Sequence, residues 1–455
     1  MVSQDRIRLF EDVPVSRAVL QLSVPTMLSS LVMVIYNLSD TFFVGMLNAP
    51  TQNAAVTLAA PVLLAFNAIN NLFGAGSSSM MSRALGKKDY DTVARSSAFG
   101  FYFAMLFGLL FSLGYSVFSG TILKVLGAEA DTISATAQYL KWTVSFGAVP
   151  AILNVVLAYL VRAEGSTLHA SIGTMSGCLL NILLDPFFIL PWGLDMGAAG
   201  AGLATFLSNC FACGYFFVLL FFRRKNTCVC ISPAKLGLRR HVVLGVMGVG
   251  VPASIQNILN VTGMTILNQF ASGYGAAAVA AMGIAQKINM VPMQMAMGFS
   301  QGMMPLISYC YASRRHDRMK NAIGFSVKIS MTFMVTVLVV YHFGANFLTG
   351  LFMDNGEVVA YAGRFLQAFS LAQPFLALDF LCVGVFQACG KGRYAFVFAV
   401  LRKIVLEIPA LVILDRIFPL YGLTYAQFAA ELILSIVTVA CLTRFMKKLN
   451  RQTIA

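Results

Sequence analysis

Residues 18–45 read AVLQLSVPTMLSSLVMVIYNLSDTFFVG, with one charged side chain, Asp40, near the far end. A helix rises 1.5 Å per residue, so about 20 apolar residues cross the hydrocarbon core of a bilayer. This stretch is long enough. In the other half of the chain, residues 243–271 read VLGVMGVGVPASIQNILNVTGMTILNQFA, with no charge at all. Each carries a Val-Pro pair near its start, Val24-Pro25 and Val251-Pro252. A membrane helix met twice points to an integral membrane protein built from a duplicated unit.

The rest of the chain agrees. Of 455 residues, 58% are hydrophobic and 11% are charged, against roughly 25% charged in a soluble domain. So little charge cannot cover a water-facing surface, and so many apolar residues exclude disorder. Apolar runs between charged or Gly/Pro/Asn breaks give twelve spans: 18–45, 54–82, 93–120, 133–160, 168–190, 198–222, 243–271, 277–308, 321–349, 358–387, 395–414 and 422–445. An outer-membrane barrel needs short alternating segments instead. The fold class expected is an all-α membrane protein, with 12 transmembrane helices in two six-helix bundles related by an internal repeat.

Further matches recur at a near-constant offset. Arg83–Asp89 after the second span pairs with Tyr311–Asp317 after the eighth. Ala163-Glu-Gly165 pairs with Ala388-Cys-Gly390, and Asp185-Pro186 with Glu407-Ile-Pro409. Six spans return the chain to its starting side, so the repeats run in the same direction. The expected organisation is an N-terminal segment 1–16, an N-lobe 17–222, a basic linker 223–241, a C-lobe 242–446 and a tail 447–455. Two-lobed repeats are typical of secondary transporters.

The net charge of +14 suggests nucleic acid at first sight. Its distribution says otherwise. One set of loops holds Arg83, Lys87, Lys88, Arg162, Arg223, Arg224, Lys225, Lys235, Arg239, Arg240, Arg314, Arg315, Arg318, Lys320, Lys391 and Arg393, and both chain ends are basic too. The opposite loops hold little beyond Lys124 and Arg416, and carry Glu129, Asp131, Asp195, Asp354, Glu357 and Asp415. Basic loops stay in the cytoplasm. Both termini are expected there, in a multi-pass protein of the inner membrane, with no nucleic-acid partner. No signal peptide is expected before the first span. The nine cysteines sit mostly in apolar stretches and are read as free thiols. No phosphate-binding loop of the G-x-x-x-x-G-K-[ST] type occurs, so no nucleotide is expected and energy must come from an ion gradient.

Charges inside apolar helices cost about 2.5–3.5 kcal/mol each on insertion scales, and so mark function or pairing. In the second half, Lys287, Asp379, Arg402, Lys403 and Glu407 form a candidate charge network, with Glu431 a further member. Lys403 and Glu407 are four apart on one helix face. In the first half, Asp40 and Asp185 have no base at comparable depth. Two such carboxylates must hold a proton or bind a cation. Asn181 and Asp185 share a face of span 5, and Tyr36, Asn37 and Asp40 share a face of span 1. Asp40 lies about 23 residues beyond Arg17, or roughly 34 Å along a helix, which places it in the outer half. Tyr139 and Thr205 enter at the same level from spans 4 and 6. These oxygens suit Na⁺, and the carboxylates suit H⁺. Pro25 and Pro186 can bend their helices. Tyr36, Asn37, Phe66, Trp142, Phe146, Tyr159 and Met293 are candidates for a cavity that takes flat organic cations.

Together these residues resemble the multidrug and toxic compound extrusion (MATE) family over about 14–447. The resemblance rests on Pro25, on Tyr36–Gly45, on Gly74–Asp89, on Asn181 through Asp185-Pro186, and on Gln301–Ser308. It implies a V-shaped pair of lobes, alternating access, and export of cationic or amphipathic drugs in exchange for H⁺ and/or Na⁺. It also implies an N-lobe cation site at Asp40, Asn181, Asp185 and Thr205, with Tyr139 nearby and Na⁺ a candidate occupant. Separately from the resemblance, no cofactor beyond the coupling ion and a monomeric chain are expected. One branch of the family binds Na⁺ through a Glu in span 7 and an Asp in span 10. Here Asn260 stands near the Glu position while Asp379 matches the acid, which favours coupling through the N-lobe. The alternatives are a lipid-linked oligosaccharide flippase of the same superfamily, whose cavity should be more basic, and a receptor or channel.

Overall fold

The structure, a computed structural model, describes residues 4–47, 49–128, 131–352 and 355–454. Glu129 and Asp354 lie outside the described residues, as do the side chains of Asp5 and Arg6.

A short helix α1 (Gln4–Glu11) precedes α2 (Val15–Gly45). Then follow α3 (Pro50–Ile69), α4 (Gly76–Gly86), α5 (Tyr90–Val125), α6 (Ile133–Leu140), α7 (Ala148–Ala163), α8 (Thr167–Ile189) and α9 (Ala198–Phe222). The second half holds α10 (Arg240–Ser272), α11 (Ala276–Ala312), α12 (His316–Gly350), α13 (Gly356–Ala388), α14 (Gly392–Val400), α15 (Ile408–Ile417) and α16 (Gly422–Ile454). Three π-helical turns, Asn70–Ala75, Lys141–Phe146 and Leu401–Glu407, join α3 to α4, α6 towards α7, and α14 to α15. The all-helical content follows from the solvent, because backbone polar groups in lipid must be satisfied within the segment.

Nine described helical segments are long and apolar enough to cross a membrane. The segment Ile133–Phe146 with Ala148–Ala163, bent by 51°, makes a tenth. The two remaining expected spans, 277–308 and 395–414, coincide with α11 and with the run from α14 to α15. Gln286, Lys287, Asn289, Gln294 and Gln301 load the first with polar groups, and Arg402, Lys403 and Glu407 load the second. Several helices run past the expected ends, as α5 and α12 do. A helix need not stop where the apolar stretch stops.

Packing divides the chain into two units. Unit 1 holds Leu28–Ser254 with α1, and unit 2 holds Ile255–Ala455 with Val13–Met27. Thus the start of α2 is grouped with the second unit and the start of α10 with the first. The core of unit 1 is α7, where Ile152, Leu153, Val156, Leu157, Leu160 and Val161 are all buried. The core of unit 2 is α13, whose apolar window is 83% buried. It carries Phe365, Leu366, Phe369 and Leu376 inward.

The repeat is visible in hydrogen bonds. Ser82 Oγ donates to the Ala163 carbonyl at 2.8 Å, and Ser308 Oγ donates to the Ala388 carbonyl at 2.9 Å. Both helices then end in a left-handed glycine, Gly165 (φ 88°) and Gly390 (φ 72°). The next amides, Ser166 and Lys391, reach back to the carbonyls of Val161 and Phe386. This is the six-to-one closure of a helix C-terminus, which glycine adopts without strain.

Candidate functional site

The site of unit 1 is set by one stripe on α8. Gly173, Gly177, Asn181 and Asp185 are each four residues apart, and all four are buried. The two glycines bring α9 close. A Cβ at Gly177 would lie 2.9 Å from the Ala212 Cβ, and one at Gly173 would meet the Phe216 ring. Membrane helices approach this closely through small residues. Gly202 does the same one helix over, where a Cβ would stand 2.9 Å from the Tyr139 carbonyl. That contact carries Tyr139 and Thr205 to one level.

Asn181 is 1% exposed and Asp185 is fully buried. With its amide turned to satisfy both neighbours, Asn181 donates to Asp185 Oδ2 at 3.0 Å. Its carbonyl oxygen then accepts from Thr205 Oγ1 at 3.3 Å and from the Thr205 amide at 3.1 Å. The Tyr36 side chain lies near Thr205, with Asp40, Cys178 and Asp185 in its surroundings. Tyr139 is buried beside Asp40, Tyr36 and Asp185. Asp40 is half-buried, and its Oδ1 has no hydrogen-bond partner among the described residues. Among the described residues neither aspartate forms an ion pair. Pro186 follows Asp185 directly and returns no N–H to the preceding turn.

Among the described residues, the aromatic candidates make their contacts in several groups. Trp142 and Phe146 pack on Phe206, with ring centroids 6.1 and 6.4 Å away. Phe66 packs edge-on against Phe111 at 5.2 Å. Tyr159 donates to Asn71 Oδ1 at 3.3 Å, and the Arg162 guanidinium lies over its ring at 5.3 Å. Asn37 is exposed and donates to its own helix, at the Met33 carbonyl. Met293 belongs to unit 2, where it packs with Phe333 around Met334, Leu376 and Phe380. Of the set, Tyr36 stands in the acid cluster.

In unit 2 two buried bases pair with acids. Lys403 Nζ lies 2.6 Å from Glu407 Oε2 across one helical turn. Arg402 lies 2.5 Å from the fully buried Glu431 of α16, and also covers the Phe380 ring at 5.3 Å. Asp379 accepts from Thr438 Oγ1 at 2.8 Å and lies beside Glu431. Lys287 does not join them. It is exposed on α11, while the neighbouring Ile288 and Asn289 point inward. Sequence reasoning missed the buried bond that Gln373 donates to Asn289. Two uncharged amides in different helices leave no charge signal to find.

The sequence pattern of the MatE family matches residues 25–187 and again 252–413. The two matches begin at Pro25 and Pro252. "Multidrug export protein MepA" of Staphylococcus aureus (strain MRSA252) is 32% identical over 433 residues, 94% of this chain and 94% of its own. The protein of the same name from Staphylococcus saprophyticus is 32% identical over 435 residues, 95% and 94% of the two chains. Among solved structures, an outward-facing multidrug resistance MATE family transporter of the MOP superfamily superposes with a TM-score of 0.93. It is 22% identical and covers 99% of this chain and 100% of its own. The Vibrio cholerae MATE transporter VcmN in its bent form gives 0.86 at 19% identity, over 96% and 98% of the two chains. The repeated span pattern, the twofold match and the end-to-end relatives agree: the chain belongs to the MatE family, as a multi-pass membrane transporter and not an enzyme.

Proposed function

We propose that the chain is a multidrug efflux antiporter, exporting cationic or amphipathic small molecules in exchange for H⁺ and/or Na⁺ by alternating access. The observation that carries this reading is the Asp40–Asp185 cluster, two carboxylates among hydroxyl and amide groups with no basic side chain paired to them among the described residues. A low-dielectric cluster of this kind takes up positive charge from outside the protein. An orphaned oxygen on Asp40 fits the demand. The relatives' names supply the substrate class.

The exchange follows from electrostatics. While the acids are unloaded, their field favours an organic cation within the lobe. Loading them with H⁺ or Na⁺ removes that attraction, so the drug and the coupling ion compete for one charge. Pro186, next to Asp185, gives α8 a weakened turn at the point where the charge changes. The basic loops and chain ends belong to the cytoplasmic side of the inner membrane on this reading, and the monomer is the working unit. A flippase for an anionic headgroup is disfavoured by the same acids.

The test is ethidium efflux from everted vesicles bearing Asp40→Asn or Asp185→Asn. Both variants should lose most gradient-driven transport at normal expression. Wild-type rates in both would sink the proposal.

A further inference from the structure

Away from the acid cluster, unit 1 contains a cavity of about 1260 Å³ under the basic linker. Its walls are the first turns of α5, the last turns of α9 and the segment Thr227–Ser232. Val93, Phe217, Phe221 and Ile231 make the lining mainly apolar. Among the described residues the lining holds one charged side chain, Arg224, and no carboxylate.

The linker wall is fixed in place. Glu164 Oε2 accepts from Thr227 Oγ1 at 2.9 Å and from the Cys228 amide at 2.7 Å. Ser97 Oγ accepts from the Cys230 amide at 3.0 Å, and the Tyr102 hydroxyl donates to the Ile231 carbonyl at 2.8 Å. An irregular backbone beside apolar helix ends is tolerated because these polar groups are satisfied. The mouth runs into uncovered rings, since Phe221 and Phe222 are 67% and 80% exposed. A water-soluble ligand gains nothing from that surface, whereas a hydrocarbon chain does.

Charge selects the headgroup. Arg224 sits 5.8 Å from the Phe221 ring centroid, at the boundary between apolar wall and basic linker. Residues 223–241 contain Arg223, Arg224, Lys225, Lys235, Arg239 and Arg240 and no acid. The nearby carboxylate on α5, Asp91, is already engaged by Arg95, Lys235 and Arg239 at 2.7, 2.9 and 3.3 Å. Arginine binds a phosphate through paired donors. We propose that this cavity holds one anionic phospholipid, with an acyl chain along Val93, Phe217 and Phe221 and its phosphate on Arg224.

The test uses the full chain purified in detergent, offered phosphatidylglycerol or phosphatidylcholine of matched chains, with bound lipid counted by native mass spectrometry. Wild type should retain one phosphatidylglycerol at about tenfold lower concentration than phosphatidylcholine, as one charge-assisted contact implies. Arg224→Gln, at an exposed position, should abolish that preference. Ala94→Trp, which fills the cavity from α5, should lower retention of both lipids. A photoactivatable phosphatidylglycerol should cross-link within Phe217–Ser232, and millimolar inorganic phosphate should not displace it. Equal retention of the two lipids by wild type, an unchanged preference in Arg224→Gln, or displacement by phosphate would overturn the assignment.

Discussion

The Asp185 carboxylate lies 3.0 Å from the Asn181 side-chain nitrogen, one turn earlier on the same buried stripe of α8. The amide holds the carboxylate on one side and Thr205 on the other, so it fixes the acid's direction without neutralising it. Asn181→Leu should therefore keep the fold and lose the function. Gradient-driven efflux should drop by about tenfold or more, the worth of one lost hydrogen bond to a charged group. Expression should stay near wild type, and the melting temperature should fall only by the worth of the lost bonds, about 1–3 kcal/mol. Efflux rates in proteoliposomes check this.

The stripe also predicts a contrast between two glycines. Gly177→Val puts side-chain atoms where Ala212 already stands, and overpacking of this kind costs about 1–3 kcal/mol. Gly214 of α9 has open space around its would-be Cβ. Gly214→Ala should be neutral or stabilising by up to about 1 kcal/mol, from helix propensity. Thermal melts of the two purified variants should separate, with Gly177→Val below wild type and Gly214→Ala at or above it.

In unit 2, Arg402 and Glu431 form a buried pair between the π-helical turn and α16. Removing one partner leaves an uncompensated buried charge, at about 3–5 kcal/mol. Arg402→Met should be strongly destabilising, and Arg402→Met with Glu431→Gln should recover much of the loss. Additive effects in the double-mutant cycle would contradict the pairing.

Outside the membrane, Asp89 caps α5. Its carboxylate accepts from the Thr92 amide at 3.1 Å and from Thr92 Oγ1 at 2.6 Å. These bonds hold the carboxyl below the usual carboxylate range. A lowered folded value means the cap contributes fully above the unfolded value of about 3.9, and fades as pH falls through the folded one. Asp89→Ala should cost about 1 kcal/mol at pH 7. The difference from wild type should shrink in acid, which melts at pH 7 and pH 3 would reveal.

What was legible in the sequence was mainly charge and repetition. Asp40 and Asp185 stood out because an acid in an apolar helix has so few explanations. The pairing of Ala163–Gly165 with Ala388–Gly390 was legible because a helix end needs glycine in both copies. Other features depend on how helices rotate against one another. Trp142, Phe146, Phe66 and Tyr159 look alike in the sequence, yet they pack in separate groups. Lys287 and Lys403 look equally buried by hydropathy, yet one faces outward and the other pairs with Glu407. The π-helical turn at Lys141–Phe146 shifts the following face, and no residue type announces it. The linker cavity was hidden for the same reason, since its wall is held by Glu164, just past α7, and by Ser97 of α5, both far from the linker in sequence.

The central claim is that the acid cluster of unit 1 takes up the coupling cation. The most direct measurement is drug efflux in proteoliposomes under separately imposed ΔpH and ΔNa⁺, for wild type, Asp40→Asn and Asp185→Asn. The prediction is that at least one gradient drives efflux by wild type and that both variants lose the response to it. A full response to that gradient in both variants would contradict the claim.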